Sequence, residues 1–211
     1  MNTNDFTRFL AVDAGPAETR LFAKRFGPVV LGGFLLSAAV AVALIGFAPA
    51  ARTLSMAFWI KMAYGLALVA SAGWLINRLC RPGLHAAGAA CVVALVVAAM
   101  GLAGVATVAM SPASQQPALL FGTSWWMCPW AILALSLPTL GGIFWSMGRF
   151  APTRPRLAGF IAGVLAGAVG ALGYAFACVE SSAAFVAIWY SAGVLITGVI
   201  GSLAGPRLLR W

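Results

Sequence analysis

Residues 86–110 read AAGAACVVALVVAAMGLAGVATVAM, 25 positions without a charge. A helix needs roughly 20 apolar residues to cross the hydrocarbon layer of a bilayer, so this stretch is a membrane span. Working outward, the uncharged run continues from Ala86 to Gly148, 63 residues in all, which is room for two spans. It carries its own turn, Ser111-Pro112-Ala113-Ser114-Gln115-Gln116-Pro117, polar and with two prolines where a helix has to stop. Further out, 26 uncharged positions separate Arg25 from Arg52, 23 separate Arg156 from Glu180, and 26 separate Glu180 from Arg207. The interval from Arg52 to Arg78 is interrupted only by Lys61. Each of these holds one span. The expected spans are 27–48, 54–77, 86–110, 124–147, 157–178 and 182–205. The predicted fold class is all-α, an integral membrane six-helix bundle: a segment 1–24, then a transmembrane domain over 25–211 with no room for a separate soluble unit.

Composition agrees. The chain of 211 residues is 63% hydrophobic and 8% charged, where a soluble domain carries about 25% charged residues. That excludes a cytosolic enzyme, a nucleic-acid-binding domain and a disordered regulator. The net charge of +9 reads as topology. With the N-terminus placed in the cytoplasm, the inner side receives Arg8, Arg20, Lys24, Arg25, Arg78, Arg81, Arg149, Arg154, Arg156, Arg207 and Arg210, and the outer side Arg52 alone. Short loops follow the positive-inside rule, so both termini are expected in the cytoplasm. The first apolar run is long enough to span and too long for a signal-peptide core, so it is expected to stay as the first membrane helix.

Helices in lipid associate through small faces that permit close approach. Gly159, Gly163 and Gly167 recur every four residues in the fifth span, with Gly170 and Gly173 following. Glycine is also simply common in membrane helices, so the repeat has a plain reading as well. Pro138 should bend the fourth span or free a carbonyl. Trp59, Trp125, Trp126 and Trp130 fall near the outer side and Trp74 and Trp145 near the inner side, as an aromatic belt places them.

Few residues could carry chemistry. Lys61 is the one basic residue inside a span, about two turns below the outer end near Ser55. It either snorkels to the interface or holds a charge beside an outer site. Glu180, the only acid beyond position 18, sits in the outer turn between spans five and six, at a depth that permits an ion pair with Lys61. Cys80 and Cys91 belong to the inner half. Cys128, about one turn into span four, and Cys178, closing span five, belong to the outer half. Depth permits a Cys128–Cys178 pair that could sense redox state or bind a soft metal. Cysteine also packs as a small hydrophobe. His85 is the sole histidine and reads as a loop residue. There is no CxxC, HExxH or glycine-rich phosphate loop. In the N-terminal segment, Phe6, Phe9 and Leu10 share a helical face between Asp5 and Asp13, and Gly15-Pro16 ends it. Such a helix lies on a membrane or docks into a groove on a soluble partner.

These residues resemble the NrsF family of six-pass inner-membrane anti-sigma factors. The resemblance spans the chain. It is carried most specifically by the run from Ala151 to Gly159 (APTRPRLAG), by Tyr174 to Cys178, by Glu180, and by Phe185-Val186-Ala187-Ile188-Trp189-Tyr190. The ending from Gly205 to Trp211, Trp59 and Lys61, Cys128-Pro129, and the opening Asp5, Leu10, Asp13 and Pro16 add to it. The resemblance implies a protein of the bacterial inner membrane that is not an enzyme. It would sequester an extracytoplasmic-function sigma factor through the cytoplasmic segment 1–24, with Asp5, Phe6, Phe9, Leu10 and Asp13 as contacts. It implies release on heavy-metal or oxidative stress sensed by Cys128 and Cys178, which are also the candidate metal ligands, with Lys61 and Glu180 as supporting charges. The partners are then the sigma factor and the lipid bilayer, with no cofactor and no direct nucleic-acid contact. In the family the second cysteine's segment often reads His-Cys-Pro-Glu; here it is Ala177-Cys178-Val179-Glu180, without the histidine and the proline. The alternative from another class is a small inner-membrane transporter or permease, which Lys61 and the proline-interrupted helix would suit.

Overall fold

The computed structural model describes residues 21–48, 55–81, 84–148, 150, 152 and 154–209. Asp5, Phe6, Phe9, Leu10 and Asp13 lie outside the described residues. In chain order the helices are α1 (Leu21–Ile45), α2 (Met56–Leu79), α3 (Ala87–Ala109), the short α4 (Gln116–Phe121), α5 (Cys128–Met147), α6 (Pro155–Tyr174) and α7 (Ala183–Leu208). Six of them, all but α4, are long and apolar enough to cross a membrane, and among the described residues there is no strand. Residues Val186–Tyr190 of α7 form a π-helical turn.

Local sequence explains the boundaries. Ser55 caps α2 by accepting the Phe58 N–H at 3.4 Å, and Ser182 caps α7 by accepting the Phe185 N–H at 3.4 Å. Prolines open α4, α5 and α6, where a missing N–H costs nothing. They also move two expected limits. Pro117 starts α4 inside the expected outer loop, and Gly122 ends it at φ +53°. Consequently α5 begins only at Cys128, and this cysteine stands on the first residue of its helix and not one turn in. Helix α6 starts at Pro155 and ends at Tyr174, so Cys178 lies beyond the helix and does not close it. Pro138 is carried within α5, where it offers no N–H to the Ala134 carbonyl.

Helix α6 is the axis of the bundle. Sixteen of its 20 residues are buried, and it packs against α7, α5, α1 and α2; its glycines and alanines let neighbouring helices approach closely on several sides. Helix α3 is peripheral, held by α2 and the first turns of α7. The glycine repeat is the seam with α7. Gly159 lies on Gly201 and Gly205, Gly163 on Thr197 and Gly198, and Gly167 on Val194. Gly170 and Gly173 turn to other neighbours, the Ile132–Ser136 turn of α5 and Ser37 of α1. Interhelical hydrogen bonds, worth about 0.6 kcal/mol each on average in membranes, tie the same helices: Ser136 Oγ to Thr197 Oγ1 at 3.2 Å, and Ser37 Oγ donating to the Val169 carbonyl at 3.4 Å. The six tryptophans expected as interface anchors are all exposed.

The ends of the bundle differ in charge. Lys24, Arg25, Arg78, Arg81, Arg154, Arg156 and Arg207 stand at the end formed by the start of α6 and the finish of α7. Cys128, Cys178 and Glu180 stand at the opposite end, with Lys61 just beneath.

Candidate functional site

The end away from the arginines holds the candidate site. Lys61, on the second turn of α2, does not snorkel: it is 4% exposed. Its Nζ donates to the Cys178 carbonyl at 3.3 Å and lies 5.9 Å from the centroid of the Tyr190 ring. An ammonium is costly to place among helices unless oxygen and π-electrons face it, and here the chain after α6 supplies the first and α7 the second.

Glu180 occupies its own cradle. Its Oε1 accepts from the Thr123 N–H at 2.8 Å, the Thr123 hydroxyl at 2.7 Å and the Ser124 hydroxyl at 3.3 Å. Gly122 lets the carboxylate approach, because a Cβ there would lie 2.6 Å from Glu180 Cδ. The ion pair that depth permitted between Lys61 and Glu180 is not formed among the described residues: the lysine is taken by the α6–α7 link and the glutamate by the α4–α5 turn. That turn is fixed further by Trp189, whose Nε1 donates to the Leu120 carbonyl at 2.8 Å.

The two thiols belong to the same end of the bundle. Cys128 and Cys178 are both buried and both free. Cys128 lies within electrostatic range of Cys178, Lys61 and Glu180. Tyr174 and Tyr190, ring centroids 5.8 Å apart, interact with both thiols. The Tyr190 hydroxyl is fully buried with no well-formed hydrogen bond and has the Cys178 side chain as its polar neighbour. Tyr64, one turn beyond Lys61, shares a 2.7 Å hydrogen bond with the Ser191 hydroxyl of α7. A cavity of about 10 Å³ opens beside Lys61, Cys178 and Glu180, room for about one water. The arrangement brings together two thiols, a held cation and a held carboxylate from α2, the α4–α5 turn, α5 and the α6–α7 link. Cys80 and Cys91 are far away, at the arginine end. Among the described residues no group of three His, Cys, Asp or Glu could hold a metal ion, so a metal here would rest on the two sulfurs.

The tyrosines were not singled out as site residues by sequence reasoning. The chain has three, Tyr64, Tyr174 and Tyr190; all three are buried at this end of the bundle. Phenols inside a bundle seek partners, and their common depth was the available signal. Thr123 and Ser124 carried none, being ordinary loop residues until Glu180 reaches them.

Glu180 lies outside the spanning helices, and its titration is readable. Burial raises its pKa, while the side chains and backbones of Thr123 and Ser124 lower it by hydrogen bonding to the charged form; the net shift is downward. A carboxyl depressed on folding contributes stability above its unfolded pKa and loses it as pH falls through the folded value. Acidification should therefore lower the melting temperature of the detergent-purified protein, and Glu180→Gln should lower it already at neutral pH and flatten the acid limb. Superimposable pH profiles for the two proteins would show that the cradle contributes nothing.

A family model described as "Negative regulator of sigma F" (NrsF) matches residues 10–211. Two curated relatives align over the whole of both chains. The protein from Azospira oryzae named probable anti-sigma-F factor NrsF is 34% identical over 216 positions. The anti-sigma-F factor NrsF of Caulobacter vibrioides is 40% identical over 222 positions. No solved structure matches.

Proposed function

This chain belongs to the NrsF family, and from that premise we propose that it is a membrane-bound anti-sigma factor. It sequesters an extracytoplasmic-function sigma factor and releases it on heavy-metal or oxidative stress sensed at Cys128 and Cys178. The anti-sigma role, regulatory and not enzymatic, is supported by the full-length relatives. The sensing part is supported by two free, buried thiols, one on the first residue of α5 and one in the α6–α7 link, within electrostatic range of each other and of Lys61.

Orientation follows from charge. The arginine-rich end faces the cytoplasm by the positive-inside rule, which puts both termini inside and the thiols on the periplasmic side of a bacterial inner membrane. The segment 1–24 then emerges into the cytoplasm, where Phe6, Phe9 and Leu10 are the apolar anchors for the sigma factor and Asp5 and Asp13 flank them, since a few buried side chains dominate such interfaces.

The signal acts by tying the thiols together. An oxidant removes two electrons and two protons from Cys128 and Cys178 to leave a disulfide; a soft metal ion displaces the two protons and bridges the sulfurs. Either event pulls the first turn of α5 toward the link after α6. Helix α1, which leads out of segment 1–24, packs on both α5 and α6, and the Ala48 N–H donates to the Phe176 carbonyl at 2.9 Å. A change at the thiols is thus passed to the helix that presents the sigma-binding segment, provided the bundle has two packings.

The test is co-purification of the tagged protein from native membranes, as the full chain, with residues 1–24 deleted, and as Phe6→Ala/Phe9→Ala/Leu10→Ala. A sigma factor should accompany the full chain and drop at least tenfold in both variants while membrane insertion is unchanged. No soluble partner with any of them, at confirmed expression, would overturn the reading and favour a transporter, with Lys61 as the residue to follow.

A further inference from the structure

The arginine end carries a second site that the sigma-factor reading does not use. Helix α6 opens with Arg154-Pro155-Arg156 and α7 closes with Gly205-Pro206-Arg207. The glycine seam brings these ends into near backbone contact, since a Cβ on Gly205 would lie 3.2 Å from Gly159 Cα. Arg156 and Arg207 are thereby forced to one place, and with Ser202, Leu203 and Pro206 they line a cavity of about 630 Å³. Both arginines are exposed, and neither forms an ion pair among the described residues. The one described carboxylate, Glu180, is at the other end of the bundle. Two guanidiniums at the start of one helix and the finish of the next therefore face a cavity with no counter-charge described around it.

The geometry points to a binding site for the phosphate headgroup of an anionic phospholipid. The guanidiniums supply paired donors that match phosphate oxygens, the Ser202 hydroxyl adds a donor, and the start of α6 adds the positive end of its dipole. Soluble phosphate would meet the same donors, but the rest of the lining favours a lipid. Leu203 is exposed within the lining, and Leu157 and Leu208, next in sequence to the two arginines, are exposed as well, so the charged groups stand beside exposed apolar side chains, as a headgroup sits above its acyl chains. Basic pockets between membrane helices hold acidic headgroups in this manner, cardiolipin among them, and cardiolipin serves as the anionic probe.

Native mass spectrometry of the intact, detergent-solubilised chain with added lipid tests this. Cardiolipin should be retained at least tenfold more tightly than phosphatidylcholine. Arg156→Gln/Arg207→Gln should bring it down to the phosphatidylcholine level, Arg156→Lys/Arg207→Lys, which keeps the charge but not the paired donors, should fall between the two, and Arg78→Gln, which removes a charge elsewhere at the same end, should leave it intact. Equal retention by the double glutamine variant, or an equal loss with Arg78→Gln, overturns the site. Displacement of the lipid by millimolar inorganic phosphate would assign the same donors to a soluble anion and overturn the lipid. Loss of the sigma factor from the double glutamine variant with lipid retention unchanged would assign the arginines to the protein partner and overturn the proposal as well.

Discussion

Gly163→Leu is expected to remove the folded protein from the membrane, cutting the recoverable folded fraction more than tenfold. A Cβ at this position would lie 2.7 Å from Gly198 Cα and 2.8 Å from the Thr197 carbonyl carbon, and these are backbone atoms of a helix that cannot yield locally. Adding even one methylene to a packed core typically costs 1–3 kcal/mol; a leucine here adds four carbons against main chain and must push α7 off α6 along its length. The loss is amplified because α6 is the helix on which α1, α2, α5 and α7 all pack. Gly163→Ala should be intermediate. Gly141→Leu, in α5 where a Cβ would meet nothing within 4 Å, should leave the protein intact. The measurement is the folded fraction in detergent by size-exclusion chromatography after matched expression; comparable recovery of the Gly163 and Gly141 leucine variants would show that the seam does not hold the bundle.

Cys128→Ser/Cys178→Ser is expected to abolish release of the sigma factor, reducing stress induction of its target genes to roughly the uninduced level. The argument rests on chemistry: serine is close to cysteine in shape, though smaller and more polar, and it neither forms a disulfide nor binds a soft metal. Both thiols are buried in the described state, where a hydroxyl without a partner costs stability, so membrane level and folded fraction are measured beside induction and a Cys128→Ala/Cys178→Ala variant is run in parallel to read loss of response apart from loss of protein. Cys80→Ser/Cys91→Ser is the control, since those positions belong to the arginine end. Full induction in the Cys128/Cys178 variant would remove the sensing role from these residues while leaving the anti-sigma assignment, which rests on the relatives and on co-purification, untouched.

Much of the membrane architecture was legible in the sequence because two physical signals in it are strictly one-dimensional. Charge is expelled from hydrocarbon, so the gaps between Arg25, Arg52, Arg81, Arg149, Glu180 and Arg207 count the spans. Close helix contact in lipid requires small residues, so Gly159, Gly163 and Gly167 announced a seam. Limits were legible to within about two turns: α1 starts six residues before the expected 27, the start of α5 at Cys128 follows the Pro117 turn, and α6 ends four residues before the expected 178. Depth separated Cys128 and Cys178 from Cys80 and Cys91; the oxygens and rings that surround the outer pair were not legible.

Those contacts were decided by the lateral order of the helices, which hydropathy does not encode because every face of every span is apolar. The sequence determined that this is an all-α six-span chain with an arginine-rich end, a lone intramembrane lysine and two cysteines at the other end. Tertiary structure alone decided that α6 is the axis, that its glycines meet α7, that Lys61 bonds the Cys178 carbonyl and not Glu180, and that Glu180 is held by Thr123 and Ser124. The physical reason is that an ion or a thiol is placed by whichever partner offers the nearest oxygen, hydroxyl or ring once the helices have packed, and that packing is set by shape along α6, a property of surfaces in three dimensions.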